Sequence, residues 1–417
     1  MLRVEGRIAN EDAEFDGAIE IDTKTGLITR VGPREGRSDL DANGCVIFAG
    51  FGDLHVHARE DVSGREMYKE DFASAAAAAI HGGVTHFADM PNNPVAPIDD
   101  ASYAAKERLS AGAAVHITLY GGIGPGTRPL ARVVPYKAFM GPSVGELFFS
   151  SPEQLEETIA RYRGCNVSFH CEDPLILDAS RGAVTHEQRR PAKAEISATR
   201  FALELIEKYE LQGKLCHFST GEGLKDVIAA KARGVKVTCE VTPHHLYFDD
   251  TMLNEANRLW LQMNPPLRGR EDRLAMIEAL RSGEIDYLAT DHAPHSLEEK
   301  GKGTSGVPHL DTYGAFTTWL MEEHGFTAQQ IARVCAANPG KFVRPYLPQS
   351  FGKGFGRVEV GYVGSLTVLD LKTPYEVTRA SLKTKCGWSP FEGVSFPGSV
   401  RHTVVRGRVY SQEGGAR

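Results

Sequence analysis

The chain has 417 residues, 41% of them hydrophobic, and a formal net charge of -7 from 47 Lys and Arg against 54 Asp and Glu. That length suits one large domain and a small one, and an acidic chain with no basic stripe excludes a nucleic-acid partner. No apolar run is long enough to cross a bilayer, and the opening Met1-Leu2-Arg3-Val4-Glu5-Gly6 has no signal core, so a cytoplasmic protein away from the membrane is expected.

Residues 1 to about 45 carry short alternating runs, such as Gly17 to Asp22 and Leu27 to Val31, punctuated by Gly and Pro. They read as strands of a small antiparallel sheet. The other end of the chain looks alike, in Ser365 to Asp370 and Val400 to Tyr410. Both ends are expected to pair into one β-sandwich, with boundaries at 1–50, 51–345 and 346–417.

The apolar run Val46-Ile47-Phe48-Ala49 reads as a buried strand that leads into Gly50-Phe51-Gly52-Asp53-Leu54-His55-Val56-His57-Ala58-Arg59-Glu60. Side chains alternate along a strand, so His55 and His57 share one side, and Arg59 adds a fixed cation suited to an anionic substrate. A lone His-x-His is more often two satisfied histidines. Downstream, further strand-like runs alternate with helical patterns. The runs are Val84 to Asp89, Ala114 to Tyr120, Val133 to Met140, Asn166 to His170, Lys214 to Phe218, Lys236 to Val241 and Ile285 to Thr290. The helical patterns are Asp71 to His81, Asp99 to Ser110, Glu153 to Tyr162, Ala192 to Tyr209, Glu222 to Arg233 and Arg270 to Arg281. Eight such units predict an α/β fold, a (β/α)8 TIM-like barrel, whose site forms at the C-terminal strand ends.

The polar residues fall there. His55 and His57 end strand one, Asn92 follows strand two, Lys137 lies in strand four, and His170, His217 and Asp291 end strands five, six and eight. Four imidazoles and an aspartate exceed the needs of one tetrahedral zinc and suit two metals about 3.5–4 Å apart. Lys137 sits in an otherwise apolar strand, where burial favours the neutral amine. A neutral amine takes up CO2 to form a carbamate, whose two oxygens and negative charge fit between two cations. Two divalent cations bring about four positive charges, and a carbamate, Asp291 and a hydroxide remove three. About one remains beside Arg59, so the pocket is expected to draw an anion. Asp291 would take the hydroxide proton and deliver it to a leaving nitrogen.

Seven cysteines without C-x-x-C spacing read as buried thiols in a reducing compartment, and Cys171, Cys216 and Cys239 as small apolar filler. Glu172 and Glu240 are weighed as ligands of a third metal, and a supporting role is favoured for each.

The set His55-Val-His57-Ala-Arg59-Glu60, Met90-Pro91-Asn92, Lys137-Ala-Phe-Met, His170-Cys-Glu, His217, Cys239-Glu240-Val-Thr-Pro-His244-His245, Asn264-Pro-Pro-Leu-Arg268 and Asp291-His-Ala-Pro-His295 resembles the dihydroorotases of the amidohydrolase superfamily. Trp388-Ser389-Pro390-Phe391-Glu392-Gly393 looks like their C-terminal signature. The resemblance implies two zinc ions held by His55, His57, carboxylated Lys137, His170 and His217, with Asp291 as ligand and base. It implies that Arg59, Asn92, Asn264 and His295 hold the substrate. The implied reaction is reversible closure of N-carbamoyl-L-aspartate to L-dihydroorotate in pyrimidine synthesis. A homo-oligomer and an association with aspartate transcarbamoylase are the partners expected.

Two departures stand out. Ala58 replaces a common Leu. Pro308-His309-Leu310-Asp311-Thr312 replaces a pattern with Gly before the apolar residue and Glu before Thr, on a loop expected to close over substrate. The competing readings are an allantoinase or hydantoinase, which share the metal ligands, and an inactive scaffold, which would have lost them. Arg59, His245 and His295 favour the dihydroorotase reading.

Overall fold

A computed structural model of the chain describes residues 1–142 and 147–412. Its centre is a ring of parallel strands: Phe51–Val56, Val84–Asp89, His116–Leu119 continued by Gly121–Ile123, Tyr136–Phe139, Asn166–His170, Gln212–Leu215, Val237–Val241 and Tyr287–Leu288. The ring closes where the last strand returns to the first. His57 N donates to His292 O at 2.8 Å, and Val56 and His292 form a parallel bridge. This is the (β/α)8 barrel that the alternating pattern predicts.

The helices start where local chemistry says they should. Asp71 and Ser74 form a capping box on Phe72–His81, and Asp99 and Ser102 form one on Asp100–Ser110. Ser151 caps Pro152–Ile159, with proline in its first turn. The sequence reading passed over Tyr313–His324 and Asn338–Val343. The first is buried at every position from Tyr313 to Thr318 and again at Leu320, so its first turns lack the polar stripe that reveals a surface helix.

Both chain ends meet in one seven-stranded sheet, in the order Arg408–Ser411, Ser399–Val405, Leu366–Asp370, Cys45–Ala49, Leu2–Ala9, Glu14–Asp22, Leu27–Gly32. A separate two-stranded ribbon joins Tyr375–Glu376 to Ser395–Phe396. One sequence expectation needs correcting here. Val46 to Ala49 is not the strand that carries the histidines. It is the middle strand of the terminal sheet, paired with Leu366–Asp370 on one side and Leu2–Ala9 on the other. The chain turns at Gly50 and only then enters the barrel. A side chain at Gly50 would meet Thr85 Oγ1 at 2.2 Å, so the turn needs glycine. Residues 45 to 58 are buried without a break, so hydrophobicity does not mark the passage from one sheet to the next.

Among the described residues no helix is long and apolar enough to cross a membrane.

Candidate metal and substrate site

A cavity opens at the C-terminal end of the barrel. Its wall includes His55, His57, Arg59, Asn92, His170, His217, Asn264 and Asp291, with Phe139, Ala293, Ser305 and Gly306. Eight of the ten residues singled out by sequence therefore face one space. Lys137 and His295 lie just behind it.

The backbone is strained to achieve this. Among the described residues five non-glycine positions have positive φ, and three of them are Arg59 (63°), His217 (37°) and Asp291 (50°). Such a conformation costs about 1–3 kcal/mol each and concentrates at functional sites. The sixth strand ends at Leu215, and the left-handed turn at His217 brings its ring against His170.

Three of the four histidines have one ring nitrogen held from behind, which fixes the other forward. His55 Nδ1 donates to Glu240 Oε1, and His57 Nδ1 donates to Asn92 Oδ1 at 2.7 Å. Their Nε2 atoms both lie 3.1 Å from Asp291 Oδ1. His170 Nε2 donates to Glu172 Oε2 at 2.8 Å, and its Nδ1 lies 2.8 Å from His217 Nε2. Burial holds the pKa of all four rings below the usual histidine value, helped by the Lys137 ammonium. Neutral imidazoles with fixed tautomers are ready metal ligands. The supporting carboxylates carry their own cations: Lys214 on Glu240, and Arg190 on Glu172.

Asp291 is buried among them, and burial lifts its pKa to about 7. Lys137 is fully buried, its Nζ 2.8 Å from Cys216 Sγ, and its charge acts on His55, His57, His170, His217 and Asp291 alike. Two imidazole nitrogens and a carboxylate around one point, with two further imidazoles and a lysine beside them, suit a zinc-type ion better than a hard cation. His55, His57 and Asp291 alone bring ligand atoms within 4.8 Å of one another. His55, Cys216 and Glu240 also converge. There Lys214 already occupies Glu240, and Lys137 already contacts Cys216.

Arg59 supplies the opposite wall. It is buried, its Nε donates to Pro294 O at 3.3 Å, and among the described residues Nη1 finds no hydrogen-bond partner. His295 stands behind it, Nε2 3.3 Å from Nη2, and supports the guanidinium. Asn264 Oδ1 is also buried without a partner among the described residues. Unsatisfied donors and acceptors facing one cavity mark a place for a polar ligand.

The Pro308 to Thr312 segment does not lie over the cavity, contrary to expectation. His309, Leu310, Asp311 and Thr312 are buried and are not part of its wall. His292 Nδ1 accepts from the His309 and Leu310 amides at 3.1 and 3.2 Å. Asp311 holds His81 at 3.0 Å and the Lys383 and Thr384 amides at 2.7 and 3.1 Å. The shorter Asp is a packing adjustment that ties the first helix to the C-terminal segment.

Sequence reasoning missed Lys214. The signal was present, a lysine in an apolar strand as at Lys137. The register pairs Lys214 with Thr238, which puts Glu240 two residues on and on the same face. Glu240→Gln should leave Lys214 buried and unpaired and cost about 3–5 kcal/mol in denaturant unfolding of the metal-free protein. Adding Lys214→Met should recover most of that loss. A single mutant as stable as the parent would show that the pair is not a buried ion pair.

A model of the amidohydrolase family matches residues 46–410. The dihydroorotase of Pyrococcus furiosus is 32% identical over 416 residues, spanning 98% of this chain and 92% of that protein. The dihydroorotase of Thermococcus kodakarensis is 34% identical over 417 residues, spanning 98% and 94%. The L-hydantoinase (dihydropyrimidinase) of Arthrobacter aurescens superposes with a TM-score of 0.88 at 23% identity, over 100% of this chain and 97% of that one, a likeness of fold alone. With its barrel, its rim of histidines and these matches along nearly its whole length, the chain belongs to the amidohydrolase family.

Proposed function

We propose that the chain is a dihydroorotase that interconverts N-carbamoyl-L-aspartate and L-dihydroorotate, the ring-closing reaction of pyrimidine synthesis. The observation that carries this reading is Arg59. It is a buried guanidinium, with one nitrogen unpartnered among the described residues, on the wall of the cavity that holds the histidines and Asp291. A neutral cyclic amide does not need such a cation, whereas a ring carrying a carboxylate does. The likeness to the dihydroorotases of Pyrococcus furiosus and Thermococcus kodakarensis along nearly their full length supports it.

In this reading His55, His57, His170, His217, Asp291 and Lys137 hold two zinc ions. Bound there, zinc lowers the pKa of water from ~15.7 to about 7 and polarises a carbonyl oxygen. Lys137 serves as its carbamate. The neutral amine adds CO2 and loses one proton, so an uncharged group becomes an anion of charge -1 among residues that must host cations. Asp291 accepts the proton of the attacking water and passes it to the departing ring nitrogen. Closure runs the same transfer backwards. Arg59 and Asn264 hold the carboxylate and ring, Asn92 keeps His57 oriented, and His295 keeps Arg59 in place.

The test is ring opening of dihydroorotate, allantoin and hydantoin by the zinc-loaded protein. Dihydroorotate should be strongly preferred, and a preference for either neutral ring would overturn the reading. Arg59→Lys should lower kcat/KM for dihydroorotate about 10- to 100-fold, since an ammonium does not reproduce bidentate pairing. Metal content should not change. Unchanged kinetics in that mutant would place the carboxylate elsewhere.

A further inference from the structure

The cavity wall facing the histidines is made of two loops, and both are fastened to one buried ammonium. Lys300 is fully buried, and its Nζ donates to Gln262 O at 2.9 Å, Thr304 O at 2.8 Å and Gly306 O at 3.0 Å. An ammonium has three N–H groups, so it is saturated. Among the described residues it has no carboxylate partner. Trp388 lies under it, with the ring centroid 5.6 Å away. Burial pushes its pKa down to about 7. A lysine kept inside a protein without a counter-charge is costly, and a methionine would fill the same volume without that cost. What distinguishes the lysine is the set of carbonyls it binds.

Those carbonyls belong to the substrate wall. Gln262 is two residues before Asn264, which lines the cavity. Thr304 and Gly306 flank Ser305, and Ser305 and Gly306 line it too. The loops are laced further by Gly306 N donating to Gln262 O at 2.9 Å and by Gln262 Nε2 donating to Ser305 Oγ at 3.3 Å. Gly306 has φ +133°, and a side chain there would stand 2.7 Å from Ala293 O and 2.9 Å from His295 Cδ2. The loop is thus pressed onto the end of strand eight. Trp388 adds the last tie, its Nε1 donating to His295 O at 2.8 Å, while His295 Nε2 faces Arg59.

We propose that Lys300 and Trp388 are positioning residues for substrate. Together they form a clamp, half of it from the C-terminal segment, that sets the Asn264 and Ser305–Gly306 wall and, through His295, the Arg59 guanidinium. The dihydroorotase reading supplies only the identity of the substrate. The clamp touches none of His55, His57, His170, His217 or Asp291, so it governs substrate binding and leaves metal and proton transfer alone.

Lys300→Met keeps the aliphatic stem on Trp388 and removes all three donors. It should raise KM for dihydroorotate roughly 10- to 100-fold, leave kcat within about threefold, and leave metal content unchanged. Trp388→Phe keeps a ring in place, removes only the bond to His295 O, and should shift KM the same way by about tenfold or less. Hydrogen exchange on the metal-free protein gives a readout independent of turnover. In Lys300→Met, exchange should quicken in peptides covering 261–267 and 302–307, and not in barrel strands Phe51–Val56 or Asn166–His170. An unchanged KM, a fall confined to kcat, or faster exchange spread over the whole barrel would overturn the clamp. If the parent chain does not open dihydroorotate, the function reading fails, and the exchange pattern alone decides the clamp.

Discussion

Asp291→Asn should abolish both ring opening and ring closure while the protein stays folded and keeps part of its metal. Asp291 Oδ1 stands 3.1 Å from the Nε2 atoms of both His55 and His57, so one carboxylate oxygen meets the two rings that face the reacting centre. An amide there still fills the space but neither accepts nor gives a proton. Loss of a positioned acid–base group costs about 10²–10⁴-fold in kcat. In the cation-free chain burial lifts the Asp291 pKa to about 7, so the carboxyl carries a proton below that pH. A bound cation favours the ionised form and pulls the value down. Metal must therefore displace the proton, and metal affinity should rise with pH toward 7. Ring opening needs the ionised form and should increase with pH, whereas closure needs the protonated form and should decrease. Parallel pH profiles for the two directions, or near-normal turnover in the asparagine variant, would assign the proton to another residue.

Lys137→Ala should cost most of the metal as well as most of the activity. Lys137 sits where its charge reaches all four histidines and Asp291. As an ammonium it repels cations from that centre, and as a carbamate it attracts them. The alanine variant loses the anion, so elemental analysis should find well under the two ions per chain expected of the parent. Short carboxylic acids in the buffer should restore part of both metal and turnover, because they return a carboxylate to the gap. A variant that holds two ions per chain unaided would remove the carbamate from the scheme.

The sequence shows the chemistry of this site more readily than its support. Period-two spacing places His55 and His57 together, and strand ends collect His170, His217 and Asp291 without knowledge of the fold. The exact path of the chain is less legible. His217 faces the cavity because of a left-handed turn, which an alternation rule does not contain. Val46 to Ala49 reads as the strand before His55 because both sheets are equally buried. Lys214 with Glu240, Arg190 with Glu172 and Lys300 with its three carbonyls depend on contacts between distant segments. Composition marks each of these as charged and buries none of them. Only the register between neighbouring strands, and the packing of loops, pairs them.

The seven-stranded sheet has a consequence for the order in which the protein is made. Its middle strand, Cys45–Ala49, emerges from the ribosome more than 300 residues before its neighbour Leu366–Asp370. Through that interval one side of an entirely apolar strand has unpaired amides and carbonyls. Such an edge invites pairing with other chains. The nascent barrel therefore depends on its earliest strands staying shielded until its last ones arrive.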